Sequence, residues 1–336
     1  MTQREDPVRI VLGIHDPSGT YARHAGVVMA SFFSNTQSRV VVHILHDGTL
    51  TPQNRARLVE TANGFGQEVR LVDVTEDLAR LGNTALRTAG SFLSVGCLFR
   101  LLIPELLPYG KVIYMDCDVL VNLDIRKLWD INIDEYCIAG VLDSMAKKNR
   151  SFFSKDYIVS RIVGFDLTNY VNSGVLAMNL EKIRATCDLP QEAAGYFARY
   201  AHCSPPVDQN FINAVFHGKC LILDPRFNRN SAECHDERAV LHVMGKPKPW
   251  EGFNEEFAGR LYWGLYAQTA WKDEILNAVL DAAFHSPLNH RKTSQCYGKI
   301  SRRLRKDLGF GGAAGLWRLL AAEIGHRFNS LFKKTG

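Results

Sequence analysis

Over the first two-thirds of the chain, short runs of consecutive β-branched and aliphatic residues alternate with segments whose apolar positions recur every three to four residues. That alternation predicts an α/β sheet with helices packed on its faces. Strands are expected over 9–14, 39–46, 68–74, 111–121, 136–143, 174–180, 220–224 and 240–244, and helices over 22–33, 51–63, 94–107, 191–202 and 207–217. Thr51 and Pro52 supply a cap and a first-turn proline, while Pro108 and Gly110 end the helix at 94–107. The stretch 145–170 is polar, without a clean period, and longer than an ordinary connection, which makes it a candidate active-site flap.

The last part of the chain has a different pattern. Over 313–332, Leu316, Leu320, Ile324, Phe328 and Leu331 fall on one helical face with Trp317 alongside, and Arg318 and Arg327 lie off it. Residues 291–336 carry eleven Lys or Arg against Asp307 and Glu323, a net charge of +9. The whole chain of 336 residues is only +5, so the remainder is −4. A body of that charge argues against nucleic acid as a partner, and the tail reads as a basic amphipathic segment able to lie on an anionic membrane surface. Docking of the tail on the catalytic body is the alternative. No apolar run reaches 18 residues, and the polar stretch Met1 to Pro7 leads straight into a strand, so neither a membrane span nor a signal peptide is expected. The eight cysteines are scattered without a CxxC pair, as free thiols of a reducing cytoplasm would be.

Candidate chemistry begins with a conflict inside the hydrophobic pattern. The run Lys111-Val112-Ile113-Tyr114-Met115-Asp116-Cys117-Asp118-Val119-Leu120-Val121 reads as one buried strand, yet it holds two carboxylates one residue apart. An unpaired carboxylate in such a place costs several kcal/mol or loses its charge. A divalent cation carrying phosphates, Mg²⁺ or Mn²⁺, resolves the conflict; a strand-end aspartate capping the next loop is the plainer alternative. His242 is the best third ligand, although a strand histidine is also at home as a hydrogen-bonded core residue. It leads into Gly245-Lys246-Pro247-Lys248, which suits a diphosphate cradle as well as a solvated basic turn. The turn after the first strand, with Asp16 and Tyr21, faces the crevice at the carboxyl ends of the strands. Asp16 could accept from a base NH and Tyr21 stack on a base, or the two could cap and pack a helix.

Taken in order, six segments resemble family 8 glycosyltransferases, the retaining GT-A enzymes that include bacterial lipopolysaccharide galactosyl- and glucosyltransferases and, more distantly, glycogenin. They are the Asp16 to Tyr21 turn, Phe99-Arg100-Leu101-Leu102-Ile103-Pro104, Tyr114-Met115-Asp116-Cys117-Asp118, Val171-Asn172-Ser173-Gly174-Val175, Val207-Asp208-Gln209-Asn210-Phe211-Ile212-Asn213, and His242 to Trp250. The resemblance, which runs from about residue 8 to 265, implies a GT-A, Rossmann-like fold with a mixed, mostly parallel sheet over 8–270; the charge and amphipathic pattern of the tail add the expectation of a helical basic segment over 271–336 attached to the inner face of the cell membrane. The resemblance also implies that Asp116, Asp118 and His242 hold Mn²⁺ or Mg²⁺ against the diphosphate of a UDP-sugar, with Lys248 and the Gly245 backbone on phosphate and Asp16 and Tyr21 on uracil. Arg100, Asp143, Asn172, Asp208 and Gln209 would surround the donor hexose. The turn after the first strand is a residue or two longer than in the galactosyltransferase pattern. The implied activity is transfer of galactose or glucose from the UDP-sugar to a saccharide or glycolipid acceptor, as in lipopolysaccharide synthesis. A catalytically silent sugar-nucleotide-binding protein is one alternative. A phosphatase with Asp116 as nucleophile is another, which fits poorly because that motif normally sits on a first strand.

Overall fold

The computed structural model describes residues 6–82, 86, 94–144, 160–165, 167–200, 208–234, 238–245, 248–251 and 257–285. The chain divides into two compact units, one of Met1–Lys246 with Glu256–Asp273 and one of Pro247–Glu255 with Glu274–Gly336. In the first unit a seven-stranded sheet contains β1 (Val8–Ile14), β2 (Val40–His46), β3 (Glu68–Asp73), β4 (Lys111–Met115), β6 (Ile138–Leu142), β7 (Val171–Asn179) and β8 (Cys220–Ile222) in the order β3-β2-β1-β4-β7-β6-β8. β7 runs antiparallel to both its neighbours, and every other pairing in the sheet is parallel. A second sheet joins β5 (Val119–Val121), β10 (Val240–His242) and β9 (Arg229–Asn230) in the order β5-β10-β9. This is the mixed, mostly parallel architecture expected from the alternating pattern.

The helices bear out the pattern with local differences. Helix α1 (Ala22–Phe33) is buried at every position but Arg23, because it packs on α2 (Pro52–Gly64), on β5 and on α6 (Phe257–Tyr266). Its Gly26 admits the Trp271 ring, which a Cβ there would meet at 2.8 Å. Thr51 caps α2 by accepting from the Asn54 N–H at 3.2 Å. The helix expected over 94–107 is a 3₁₀ segment, Val95–Leu102, followed by the single turn Ile103–Leu106. Pro104 offers no N–H to the Arg100 carbonyl, so an α-helical ladder cannot run through it. Among the described residues, the helical turn Arg126–Trp129 and the longer helices α3 (Leu180–Thr186), α4 (Leu189–Tyr200) and α5 (Asp208–Val215) follow.

The largest departure from the sequence reading is at 111–121. The apolar run is not one strand but two, β4 and β5, which belong to different sheets, and the break falls at Asp116-Cys117-Asp118. Two carboxylates one residue apart put both charges on the same face of a strand, and the turn brings them to the end of the sheet instead. Of the candidate flap, the described part includes Phe165, Leu167 and Tyr170, which form a small apolar cluster with Val163 and Ala214.

In the second unit, α7 (Ile275–His285) buries Ile275, Ala278, Val279 and Ala282, one helical face. The expected helix over 313–332, and with it the basic tail, lies outside the described residues. Among the described residues no helix is long and apolar enough to cross a membrane, and Cys97, Cys117, Cys137, Cys187, Cys220 and Cys234 are free thiols.

A buried histidine gives the sheet an acid-sensitive point. His43, in the middle of β2, is 2 % exposed and packs edge-on against Tyr109, whose hydroxyl lies 3.2 Å from its Nε2. Burial, reinforced by the charges of Arg70 and Arg9, lowers its pKa to about 4. Because the folded value lies below the unfolded one, this contribution is fully present above pH ~6.5 and is lost as pH falls towards 4. Urea unfolding at a series of pH values should therefore show the native chain losing on the order of 2–3 kcal/mol more than His43→Gln across that window. Equal pH slopes for the two proteins would remove His43 as the cause.

Candidate active site

The site lies along one edge of the large sheet. β1, β2, β4 and β6 all point their carboxyl ends to that edge, since β4 and β6 are each antiparallel to β7. His15 follows β1, Asp47 follows β2, Asp116 follows β4, Asp143 follows β6, and Asn172, Ser173 and Gly174 open β7 at the same end. Open α/β sheets bind ligands in this position.

Asp116, Asp118 and His242 offer one ligand atom each, all within 4.8 Å of one another. The two sheets bring them together. The Asp116 N–H donates to the Gly174 carbonyl at 2.8 Å, which ties the first carboxylate to β7. Antiparallel pairing of β5 with β10 sets His242 opposite Val119, beside Asp118, and His242 Nε2 lies 3.2 Å from Asp118 Oδ1. Gly174 makes the approach possible. A Cβ there would collide with His242 Cε1 and lie 2.7 Å from its Nδ1 and 2.9 Å from Asp116 Oδ2. Two carboxylates and an imidazole converging over a glycine form a donor set suited to Mn²⁺ or Mg²⁺, and those three residues would hold the ion.

Arg100 sits among the carboxylates. Its Nη2 donates to Asp116 Oδ1 at 2.8 Å, its Nε lies 3.0 Å from Asp208 Oδ2, its Nη1 bonds the Ser173 carbonyl, and the guanidinium covers the Tyr114 ring at 4.3 Å. It is 2 % exposed. Burial alone would lower its pKa, but Asp116 and Asp208 outweigh that and hold it raised. The Tyr114 hydroxyl also donates to Asp116 Oδ1 at 2.7 Å. Burial raises the Tyr114 pKa and the Asp116 charge adds to this, although Arg100 opposes it, so the phenol keeps its proton. Oδ1 of Asp116 is thus taken by two donors, and Oδ2 faces the His242 side. The pKa of Asp208 is raised by burial, against the pull of Arg100 and with a further push from Asp116.

Amide side chains organise the rest. Gln209 accepts at Oε1 from the Ser173 N–H at 3.0 Å and donates from Nε2 to Asp143 Oδ2 at 3.1 Å. Asn172 Nδ2 donates to the same oxygen at 3.0 Å. Asn228, which no local sequence signal marks, lies between Asn172 and His242. Of the site residues expected from sequence, Arg100, Asp116, Asp118, Asp143, Asn172, Asp208, Gln209 and His242 therefore come together in one network, with Tyr114, Ser173 and Asn228 added to it.

The first turn is built differently from a simple base pocket. Asp16 is 1 % exposed, and its carboxylate accepts from the N–H groups of Tyr21 at 2.7 Å and Ala22 at 3.2 Å and from Asn54 Nδ2 at 3.1 Å. Of the two readings left open by the sequence, this is the helix-capping one. His15 and Asp47 pair beside it at 2.5 Å between Nδ1 and Oδ2. The Tyr21 phenol has its pKa raised by burial and then by Cys117, Asp118 and Asp116. Gly245, three residues after His242, turns the chain with φ of +75°, a left-handed conformation that suits glycine. Lys248 belongs to the second unit, where its N–H donates to Glu251 Oε2 at 3.1 Å.

The chain is similar to General stress protein A of Bacillus subtilis, with 26% identity over 80% of this chain and 96% of that one. It is also similar to the lipopolysaccharide 1,3-galactosyltransferase of Salmonella typhimurium, at 23% over 79% of this chain and 75% of the relative. The fold matches the crystal structure of galactosyltransferase LgtC in complex with donor and acceptor sugar analogues, with a TM-score of 0.65 and 22% identity over 80% of this chain and all of the other. The sequence profile described as Glycosyl transferase family 8 matches residues 15–253, from the turn after β1 past the His242 strand. The paired carboxylates stand after the fourth strand of the sheet, bound to a histidine and a buried arginine, and the chain belongs to glycosyl transferase family 8.

Proposed function

We propose that this glycosyltransferase moves a hexose, galactose or glucose, from a UDP-sugar to a saccharide or glycolipid acceptor with retention of anomeric configuration. The observation that carries the reading is the convergence of Asp116, Asp118 and His242 within 4.8 Å at the carboxyl edge of the sheet. A divalent cation held there supplies charge neutralisation for the departing diphosphate. Lys248 and the Gly245 backbone are proposed as further phosphate contacts, and Tyr21 as the stacking face for uracil, with Asp16 shaping that turn.

The remaining roles follow from what the side chains already hold. Arg100 fixes Asp116 and Asp208 in place and acts as a positioning residue. Gln209 and Asn172, held by Asp143, line the hexose pocket. A neutral amide with its oxygen committed to the Ser173 N–H is a poor nucleophile. Retention is therefore proposed to proceed by entry of the acceptor on the face that the diphosphate leaves, with a phosphate oxygen taking the acceptor proton. Asp208 and Gln209 would stabilise the positive charge that develops at the anomeric carbon. Residues 271–336 are proposed to attach the enzyme to an anionic membrane surface, as synthesis of a surface glycan such as lipopolysaccharide requires.

Incubation with UDP-galactose or UDP-glucose should release UDP slowly in the presence of Mn²⁺ without acceptor and stop on chelation; chelator-insensitive turnover of the donor would count against the metal reading. Gly174→Ala should weaken Mn²⁺ binding by about 10- to 100-fold, because the added methyl occupies the space that His242 and Asp116 share. Unchanged Mn²⁺ affinity would show that the ion binds elsewhere. Deleting residues 291–336 should free the protein from anionic vesicles while donor hydrolysis persists, and retention of vesicle binding would refute the role given to the tail.

A further inference from the structure

The buried amides between the two halves of the site have only one consistent orientation. Asp143 Oδ2 accepts, so the group of Asn172 that lies 3.0 Å from it is the NH₂. At the other end of the same amide, the Gly174 N–H can only donate, and it meets Asn172 Oδ1 at 2.9 Å. A carboxylate and a backbone N–H thus pin Asn172 from opposite sides. Asn228 approaches Asn172 Oδ1 at 2.9 Å and must present its own NH₂ there. That leaves Asn228 Oδ1 facing His242 Nδ1 at 3.0 Å, and an amide oxygen only accepts. Nδ1 of His242 must therefore carry a proton. In the neutral imidazole the lone pair then sits on Nε2, the nitrogen that faces Asp118.

We propose that Asn228 is a positioning residue that selects the Nδ1–H tautomer of His242, and that the chain Asp143, Asn172, Asn228 thereby aims Nε2 at the carboxylate pair. This rests on the reading of Asp116, Asp118 and His242 as a divalent-cation site. Ligating histidines commonly donate their second N–H to a fixed acceptor, and loss of that acceptor costs 10- to 100-fold in metal affinity. Here the acceptor is neutral, 4 % exposed, and oriented by a carboxylate two residues further along the network. The same carboxylate oxygen receives the amide of Gln209. Asp143 thus contributes to both the tautomer of the metal-binding histidine, together with the Gly174 N–H, and the orientation of Gln209, together with the Ser173 N–H.

The test uses the full chain and Mn²⁺ alone, with free ion measured by electron paramagnetic resonance. Asn228→Ala should bind Mn²⁺ about 10- to 100-fold more weakly, whereas Asn228→Asp, which keeps an acceptor for the Nδ1 proton but loses the NH₂ that Asn172 Oδ1 receives, should lose clearly less. Equal losses in the two variants, or no loss in Asn228→Ala, would overturn the proposal. Asp118→Asn is the control for the underlying reading: if it binds Mn²⁺ like the native protein, the cation site itself is wrong, whereas a loss there with native binding by Asn228→Ala rejects only the role of Asn228. If the Asn228 variants fail to fold, the native protein still decides. Long-range ¹H–¹⁵N correlation on histidine-labelled protein with Mg²⁺, assigned by a His242→Gln variant, should place the His242 proton on Nδ1. A proton on Nε2 with a bare Nδ1 would refute it.

Discussion

The arrangement depends on one buried cation. Arg100 stands between Asp116 and Asp208, carboxylates from segments more than ninety residues apart in the chain, and without it two negative charges would face each other with little access to water. Removing one partner from such a buried pair costs about 3–5 kcal/mol, because the other is left uncompensated. The guanidinium also reaches the Ser173 carbonyl and covers the Tyr114 ring, so it joins the 3₁₀ segment before β4, the end of β4, the start of β7 and the first turn of α5. Its fork geometry is what permits this, since three different nitrogens reach the three acceptors, whereas a lysine in its place would carry all its donors on one nitrogen.

Around that cation the fold distributes tasks by element. The parallel strands bring Asp116 and Asp143 to one edge, β7 supplies the amide of Asn172 and the bare Cα of Gly174, and the second sheet contributes Asp118 and His242 by register. Few of these side chains are exposed. Asp143, Asn172, Ser173, Asp208 and His242 are each less than a tenth exposed, which strengthens the polar contacts among them and makes any unpaired member costly. A site with this much internal pairing is preorganised before a substrate enters it.

Much of this was legible in the sequence. Strand and helix periodicity located nearly every element of the large sheet, and the pair Asp116 and Asp118 stood out because carboxylates do not belong in an apolar run. What the sequence could not disclose was where that run divides, since β4 and β5 share one hydrophobic character and only their hydrogen-bond partners differ. Asp16 was ambiguous for a related reason: a carboxylate at a strand end serves equally well on a ligand or on the first N–H groups of a helix, and the choice is made by Asn54, 38 residues away. Asn228 left no trace at all. It follows a Pro-Arg-Phe turn, and nothing nearby reveals that its amide meets a histidine fourteen residues later.

The passage of the chain from one sheet to the other at Asp116 and Asp118 limits how this protein can evolve. In the second sheet His242 is opposite Val119, and a strand alternates its faces with every residue. Insertion or loss of a single residue within β5 or β10 would turn His242 to the opposite side and remove it from the carboxylates, however well the altered strand paired. Substitution can therefore explore the three positions of each strand, but length cannot. Change in chain length must be absorbed outside this short ladder, so diversification by insertion is confined to the loops while the ladder itself stays at fixed length.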